Sequence, residues 1–402
     1  MRPADVPELL TVAVLPSSRK FCRSSHIICY WDGGQFVFHN YATGIAAAAH
    51  PVACEILDFF ADWRTVAELH RHFPEHEAKT LDRVVNLLLR RSLLLRSDRT
   101  LPERERAMCE FDRWNPPAGF FHSATKDVTY TDPMAGTRAL RRQARRWPLP
   151  SPVKRLNGQR RFALPPLPTH GEFVRVLLER RTWRRFAAAQ LNINHLGTLL
   201  GLTAGIQHWV TVPGIGDFAL KTSPSGGALH PLELYVVVQA VHGLPRGLYH
   251  YRPDIHAVEL VTPRRRAVNI ERYLPTQNWY QRAGALVFFS AVFKRSIWKY
   301  TYARAYRAVL IEAGHLCQTF CLVATWLGLA PFCSMALADR PIEKDLGLDG
   351  IRESVLYAAG VGVRPVGADR AMKPDGPPDM VVRANARLTR AVKRDGSSRA
   401  RD

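Results

Sequence analysis

Four stretches of this sequence carry side chains in patterns that could do chemistry. In ERRTWRRF, Arg180, Arg181, Arg184 and Arg185 crowd one short segment. Guanidinium groups offer forked donors that match phosphate oxygens, although a solvated basic helix end reads the same way. In SPSGGALHPLELYVVVQ, Pro224, Ser225, Gly226 and Gly227 form a turn that runs straight into an apolar, β-rich run. Glycines there let a flat ligand approach the main chain, so that backbone N–H groups can meet carbonyl oxygens; an ordinary loop is the plainer alternative. In IWKYTYARAYR, Lys299 and Tyr300 are adjacent. Such a pair can hold or relay a proton, while a single lysine more commonly faces solvent. The fourth stretch, ATWLGLAPFCSMALAD, leaves a helix at Gly328 and continues through Leu329 as chain suited to packing on a planar group.

The surrounding elements divide the chain into four expected parts. Residues 1–100 read as a small winged-helix-like domain. HIICYWDGGQFVFHNY alternates and turns at Asp32-Gly33-Gly34 as a hairpin does. HPVACEILDFFADW, RTVAELHRHF and EAKTLDRVVNLLLRRSLLLRS then give three helices and a short strand. That outline suits a structural accessory domain, a module that docks the leader of a precursor peptide, or a DNA-binding unit. Residues 101–170, rich in Pro and Arg, read as a linker, with FFHSATKD (Phe120–Asp127) packing on the domain that follows. Residues 171–366 read as the main domain. Its helices are GEFVRVLLERR, INHLGTLLGLTAGI and a long apolar one at 303–329. Its strands are LELYVVVQ, the RGLYHYRPDIHAVELV hairpin, GALVFFSAVF and SVLYAAGVG. Helices around a mixed sheet make the class α+β. Residues 367–402 read as a basic flexible tail.

The composition bounds the function classes. The chain has 402 residues, 47% hydrophobic and 23% charged, as expected of a globular protein with a real core. No run suggests a bilayer span and the N-terminus shows no cleavable signal pattern, so a cytoplasmic protein without membrane association is expected. A net charge of +21 invites a nucleic-acid reading. Much of that charge lies in the 138–162 stretch and the C-terminal tail, which fits compositional bias or an acidic partner such as a peptide or a phosphate cofactor. Nucleic acid is therefore not expected as the partner. Seven cysteines without a CxxC argue against a disulfide framework. Cys317 and Cys321, a helical turn apart, are read as core, and no metal is expected.

Taken in order, Arg180-Arg181-Thr182-x-Arg184-x-Phe186 and Pro224-Ser225-Gly226-Gly227-Ala228-x-x-Pro231-Leu232-Glu233-Leu234 resemble the nitroreductase superfamily. KYTYARAYRAVLIEAGHLCQTFCLVATWLGL and LGLDGIRESVLYAAGVG are similar to the corresponding segments of its SagB-type (thiazoline/oxazoline) dehydrogenase branch. The resemblance covers residues 171–366, and more loosely residues 20–127.

The resemblance implies a nitroreductase-like FMN domain, normally a homodimer. Arg180 and Arg184 would bind the FMN phosphate, and Arg181 and Thr182 would lie along the ribityl chain or ring. Pro224, Ser225, Gly226 and Gly227 would line the isoalloxazine ring, with Gly328 and Leu329 also at the cofactor. Lys299 and Tyr300 would be the catalytic pair, with His230 either supporting the residues at the cofactor or purely structural. The implied activity is oxidation of azoline rings in a ribosomally made precursor peptide, with dioxygen as acceptor and a cyclodehydratase as partner. An NAD(P)H-dependent nitroreductase, a non-catalytic scaffold in a maturation complex and a flavin-sensing DNA-binding regulator are the alternatives. The sequence departs from the pattern at Ala228, and at Met335-Ala336, where the family often has glycines; Arg364 is a candidate for a further phosphate contact.

Overall fold

The computed structural model describes residues 18–130, 132–146, 171–261 and 270–367, so the expected tail and most of the Arg/Pro-rich stretch after residue 146 lie outside the described residues. The chain divides into two compact units. One is Met1–Lys126 with Phe293–Arg307; the other is Asp127–Val292 with Ala308–Asp402.

In the first unit, β1 (Lys20–Arg23) is followed by an antiparallel meander of β2 (Ile27–Asp32), β3 (Gln35–Asn40) and β4 (Ile45–Ala48). Gly33 and Gly34 both take positive φ, 54° and 84°, as the two-residue turn between β2 and β3 demands. Next come α1 (Ala53–Phe59), β5 (Arg64–Thr65), α2 (Val66–His72), α3 (Ala78–Arg90) and β6 (Leu94–Arg96). A capping box starts α2: Glu68 N donates to Thr65 Oγ1 at 3.2 Å, and Thr65 N donates to Glu68 Oε2 at 2.6 Å. Leu81, Val85 and Leu88 point from α3 into a core with Phe21, Phe60 and Leu69, while β5 and β6 flank β1. The hairpin, the helices and the closing strand stand where the sequence places them.

The expected linker begins as structure instead. α4 (Glu103–Met108), a 3₁₀ turn at Cys109–Phe111 and α5 (Pro117–Ala124) bury Met108, Phe111 and Trp114. Short helices bounded by prolines leave little periodicity for a sequence reading to detect. The His122 ring of FFHSATKD packs within this unit, its Nδ1 2.8 Å from the Tyr306 hydroxyl.

The second unit begins with α6 (Pro133–Arg146), a helix within the stretch read as linker, and α7 (Glu172–Glu179). β7 (Leu191–Asn192) leads into α8 (Ile193–Ala204), whose first turn is capped by the Asn192 side chain accepting from Asn194 N at 2.8 Å. After the β8 (Ile206–Val212) and β9 (Gly216–Lys221) hairpin come β10 (Leu232–Val238), β11 (Val241–His242), β12 (Gly247–Arg252), β13 (Ala257–Leu260) and β14 (Ala285–Val292). α9 (Phe293–Lys299) and the first residues of α10 (Ala305–Trp326) belong to the first unit; the chain then completes α10, β15 (Leu329–Ser334), α11 (Asp339–Leu346) and β16 (Glu353–Val363).

The six-stranded sheet runs in the order β13-β12-β10-β14-β16-β15. β10 and β14 occupy its middle and are buried along nearly their whole length, which explains their unbroken apolar runs. The sheet was expected to be mixed; all its pairings are antiparallel, and among the described residues parallel pairing is confined to β7 with β11. Unbroken apolar runs reflect burial on both faces, which does not fix strand direction.

α10 also corrects the expectation that no segment is long enough for a bilayer. By length and composition it would span one, but half of that apolar window is buried inside the fold. It also carries the buried Glu312, hydrogen-bonded to the main chain at Gly226, as suits a core helix.

Candidate functional site

The arginine-rich segment follows the end of α7. Trp183 N donates to Pro331 O at 2.9 Å and Ala187 N to Val363 O at 2.9 Å, which ties the segment to β15 and β16. Arg181 is occupied locally, its NH1 donating to Leu178 O and Arg180 O at 2.8 Å each, so it closes the helix end. Thr182 is half-buried beside it. Arg180 is half-buried, and Arg184 lies 5.7 Å over the Trp279 ring. Neither is paired with a carboxylate among the described residues. Arg364 joins them, which the sequence offered only as a candidate. It lies 5.3 Å over the Trp183 ring and donates from Nε to Leu329 O at 2.8 Å. Trp183 Nε1 is buried and has no hydrogen-bond partner among the described residues. The segment therefore presents donors and positive charge in excess of acceptors, which fits an anionic, oxygen-rich group.

The Pro224–Gly227 turn is pinned to α10. Gly226 N donates to Glu312 Oε1 at 2.8 Å, and Ser223 Oγ lies 2.9 Å from Thr319 Oγ1. Glu312 is 5% exposed, and burial pushes its carboxyl above the usual value against the hydrogen bonds from Gly226 and Ser225. Gly227, Ala228 and His230 all take positive φ, 66°, 55° and 41°. For the two non-glycine residues this is a strained backbone, held because Ser225 Oγ accepts from His230 N and the His230 ring bonds Ala219 O, both at 2.9 Å. His230 thus helps to hold the turn. The departure at Ala228 has a steric meaning: a small side chain sits where the backbone turns left-handed.

Gly328 and Leu329 have structural roles. Gly328, at φ 73°, lets α10 end, and Leu329 is buried and pairs with Val363. Lys299 and Tyr300 lie in the first unit, at the end of α9. Tyr300 O accepts from Trp114 Nε1 at 2.8 Å, and Lys299 Nζ lies 5.6 Å from the Tyr300 ring centre. Phe293, at the other end of α9, stacks on Tyr306. The pair is held by Trp114, a residue of the stretch read as linker.

The structure adds a partner that spacing could not show. Cys317 and Cys321 meet Cys333 of β15, their sulfurs all within 4.8 Å. Hydrogen bonds from Cys317 and Cys321, with Tyr357 and the Arg180 charge behind them, hold the Cys333 thiol far below the usual range, while the same sulfur contacts push Cys317 far above it.

Residues 177–363 match the nitroreductase family. The chain therefore carries a nitroreductase-family domain. The domain begins in α7 and ends with the last residue of β16, so it takes in the arginine segment, the pinned turn and the whole six-stranded sheet. Over 173 residues, 42% of this chain, the sequence is 29% identical to the trifolitoxin-processing protein TfxB of Rhizobium leguminosarum bv. trifolii. Over 142 residues, 31% of this chain, it is 31% identical to the microcin B17-processing protein McbC of Escherichia coli. These matches cover 46% and 48% of the two relatives, so the chain spans about half the length of each. The solved E. coli microcin synthetase McbBCD complex with truncated pro-MccB17 superposes at a TM-score of 0.40 and 21% identity, over 59% of this chain and 95% of the matched chain, a distant likeness.

Proposed function

We propose that this protein is an FMN-dependent oxidoreductase that matures a ribosomally made peptide in the cytoplasm, oxidising azoline rings to azoles. The observation that carries the reading is the donor excess around Arg180, Trp183, Arg184 and Arg364 in a nitroreductase-family domain. The half-buried Arg180 and Arg364 and the exposed Arg184, without carboxylate partners among the described residues and beside an indole N–H that has no partner there, fit a bound phosphate and its oxygen-rich chain. Relationship to two peptide-processing proteins favours a peptide substrate over a free nitro compound.

Arg180, Arg184 and Arg364 would hold the phosphate, and Thr182 would face the adjoining hydroxyls. Ser225, Gly226 and Gly227, fixed by Glu312, would present main chain to the flat ring. Bound FMN would supply the acceptor for a hydride, with dioxygen as the final oxidant. Converting an azoline to an azole also releases a proton from ring carbon, and Lys299 with Tyr300 is assigned that proton. Leu310, Ile311 and Gly314 leave an exposed apolar strip on α10, which supports a homodimer. A precursor peptide and a cyclodehydratase are the partners this reading requires.

Purification tests the first half of the proposal: the recombinant protein should be yellow and release FMN on denaturation, and a colourless protein without flavin overturns it. Lys299→Ala tests the second half. It should keep FMN while azoline oxidation falls by about 10²–10⁴-fold. Unchanged turnover removes Lys299 from the mechanism, and flavin reduction by NAD(P)H faster than by an azoline peptide would make the protein a flavin reductase instead.

A further inference from the structure

In the first unit, well away in sequence from the nitroreductase-family residues, three metal-binding side chains converge. His26 sits between β1 and β2, and Cys109 and Asp112 bracket the 3₁₀ turn after α4. Their ligand atoms all lie within 4.8 Å of one another. The turn itself sets two of them, because Asp112 N donates to Cys109 O at 3.0 Å and so brings both side chains to one side.

The surroundings of His26 decide what the cluster presents. The residue is 2% exposed. Its Nδ1 lies 2.7 Å from Glu105 Oε2, and Glu105 also accepts from Asn40 Nδ2 at 2.7 Å and from Ser24 Oγ at 2.9 Å. The Glu105 carboxylate thus engages one ring nitrogen of His26. The other, Nε2, is buried and has no hydrogen-bond partner among the described residues. A second buried atom is also unpaired: the Tyr41 hydroxyl, whose ring meets His26 edge-on at 5.5 Å.

An imidazole nitrogen, a sulfur and a carboxylate oxygen thus lie within 4.8 Å of one another, close enough to share one cation. Nitrogen, sulfur and oxygen ligands in this combination suit zinc, and the carboxylate on the far imidazole nitrogen is the support that zinc-binding histidines regularly have. His26 and Cys109 line a cavity of about 840 Å³, and Cys109 and Asp112 are exposed, so the fourth position opens to solvent.

We propose that His26 Nε2, Cys109 Sγ and Asp112 bind one Zn²⁺, with water as fourth ligand, tying the β1–β2 corner to the turn after α4. The test uses the full chain with any affinity tag removed, supplied with zinc and dialysed. Elemental analysis should find about one zinc per chain. Co²⁺ in its place should give the visible bands of a tetrahedral site and a sulfur-to-metal charge-transfer band. Cys109→Ala and Asp112→Ala should lose the metal, and Glu105→Gln should weaken it about 10–100-fold. Replacing Cys317, Cys321 and Cys333 together with alanine should leave it in place. Wild-type protein that is zinc-free and gives no tetrahedral cobalt spectrum overturns the proposal, as does zinc kept in Cys109→Ala or lost with the 317/321/333 cluster. If the alanine variants fail to fold, a wild-type cobalt spectrum without the sulfur band overturns it equally.

Discussion

Replacing Glu312 tests whether the pinned turn shapes the ligand site. Glu312 accepts from Gly226 N at 2.8 Å and is 5% exposed, so Glu312→Ala takes the partner from a part-buried main-chain donor. An unmet buried donor costs about 1–3 kcal/mol. That loss should appear as a lower urea midpoint at unchanged slope. To the extent that the turn holds FMN, the same loss weakens FMN binding by about 5–150-fold at 1.4 kcal/mol per tenfold. Glu312→Gln keeps an acceptor for Gly226 and removes the charge, and its pH behaviour gives a second reading. Burial raises the Glu312 carboxyl in the folded protein above its unfolded value. The folded state therefore prefers the protonated form. Its stabilisation is complete below the ordinary carboxylate value and is lost as pH rises through the raised one. Wild type should lose stability over that window and Glu312→Gln should not. Urea titrations across the pH series, with flavin fluorescence quenching for affinity, supply both measurements. If Glu312→Ala leaves the midpoint unchanged and FMN affinity within about twofold of wild type, the turn is not held by this contact.

Trp114→Phe removes the 2.8 Å bond to Tyr300 O and should cost about 1–3 kcal/mol by denaturant unfolding, with turnover falling more than FMN affinity. Gly362→Ala would put a Cβ 2.6 Å from the Phe186 ring, so a thermal melt should show a loss of about 1–3 kcal/mol. His250 Nε2 lies 2.8 Å from Glu233 Oε2, and that bond raises the imidazole value. Its stabilisation is full below the ordinary histidine value and disappears as pH rises through the raised one; His250→Gln should be flat over that range in pH-dependent melts.

Features written in neighbouring residues were legible in the sequence. Gly33-Gly34 announces a two-residue turn because both positions need φ above zero, and the Thr65–Glu68 spacing matches the start of α2. Pro224–Gly227 could be recognised as a tight turn, but Glu312, which fixes it, stands on α10 and has no local signal. Cys333 could not be joined to Cys317 and Cys321 because its place depends on β15 pairing with β16. Antiparallel pairing throughout the large sheet was hidden for a related reason: a strand buried on both faces has the same apolar run in either direction. His26 and Cys109 carry no local signal, because each is ordinary among its own neighbours in the sequence. The cue for α4 and α5 was composition rather than period, in the aromatic residues Phe111, Trp114 and Phe120 within a stretch otherwise rich in Pro and Arg.

The excursion of the chain from β14 into α9 has a consequence for dissecting this protein. Phe293 and Tyr306 are counted with residues 1–126 and pack there on Phe111 and His122, although the gene encodes them between two parts of the other unit. No single cut in the gene can then separate the units. A deletion up to residue 126 would strip the aromatic partners from both ends of the 293–307 segment, and a fragment ending at 126 would lack Phe293 and Tyr306 from its own core. Loss of activity in an N-terminal deletion would thus report a damaged Lys299–Tyr300 segment as readily as a missing docking module, and point substitutions on the outer face of α3 are the cleaner way to ask what the first unit binds.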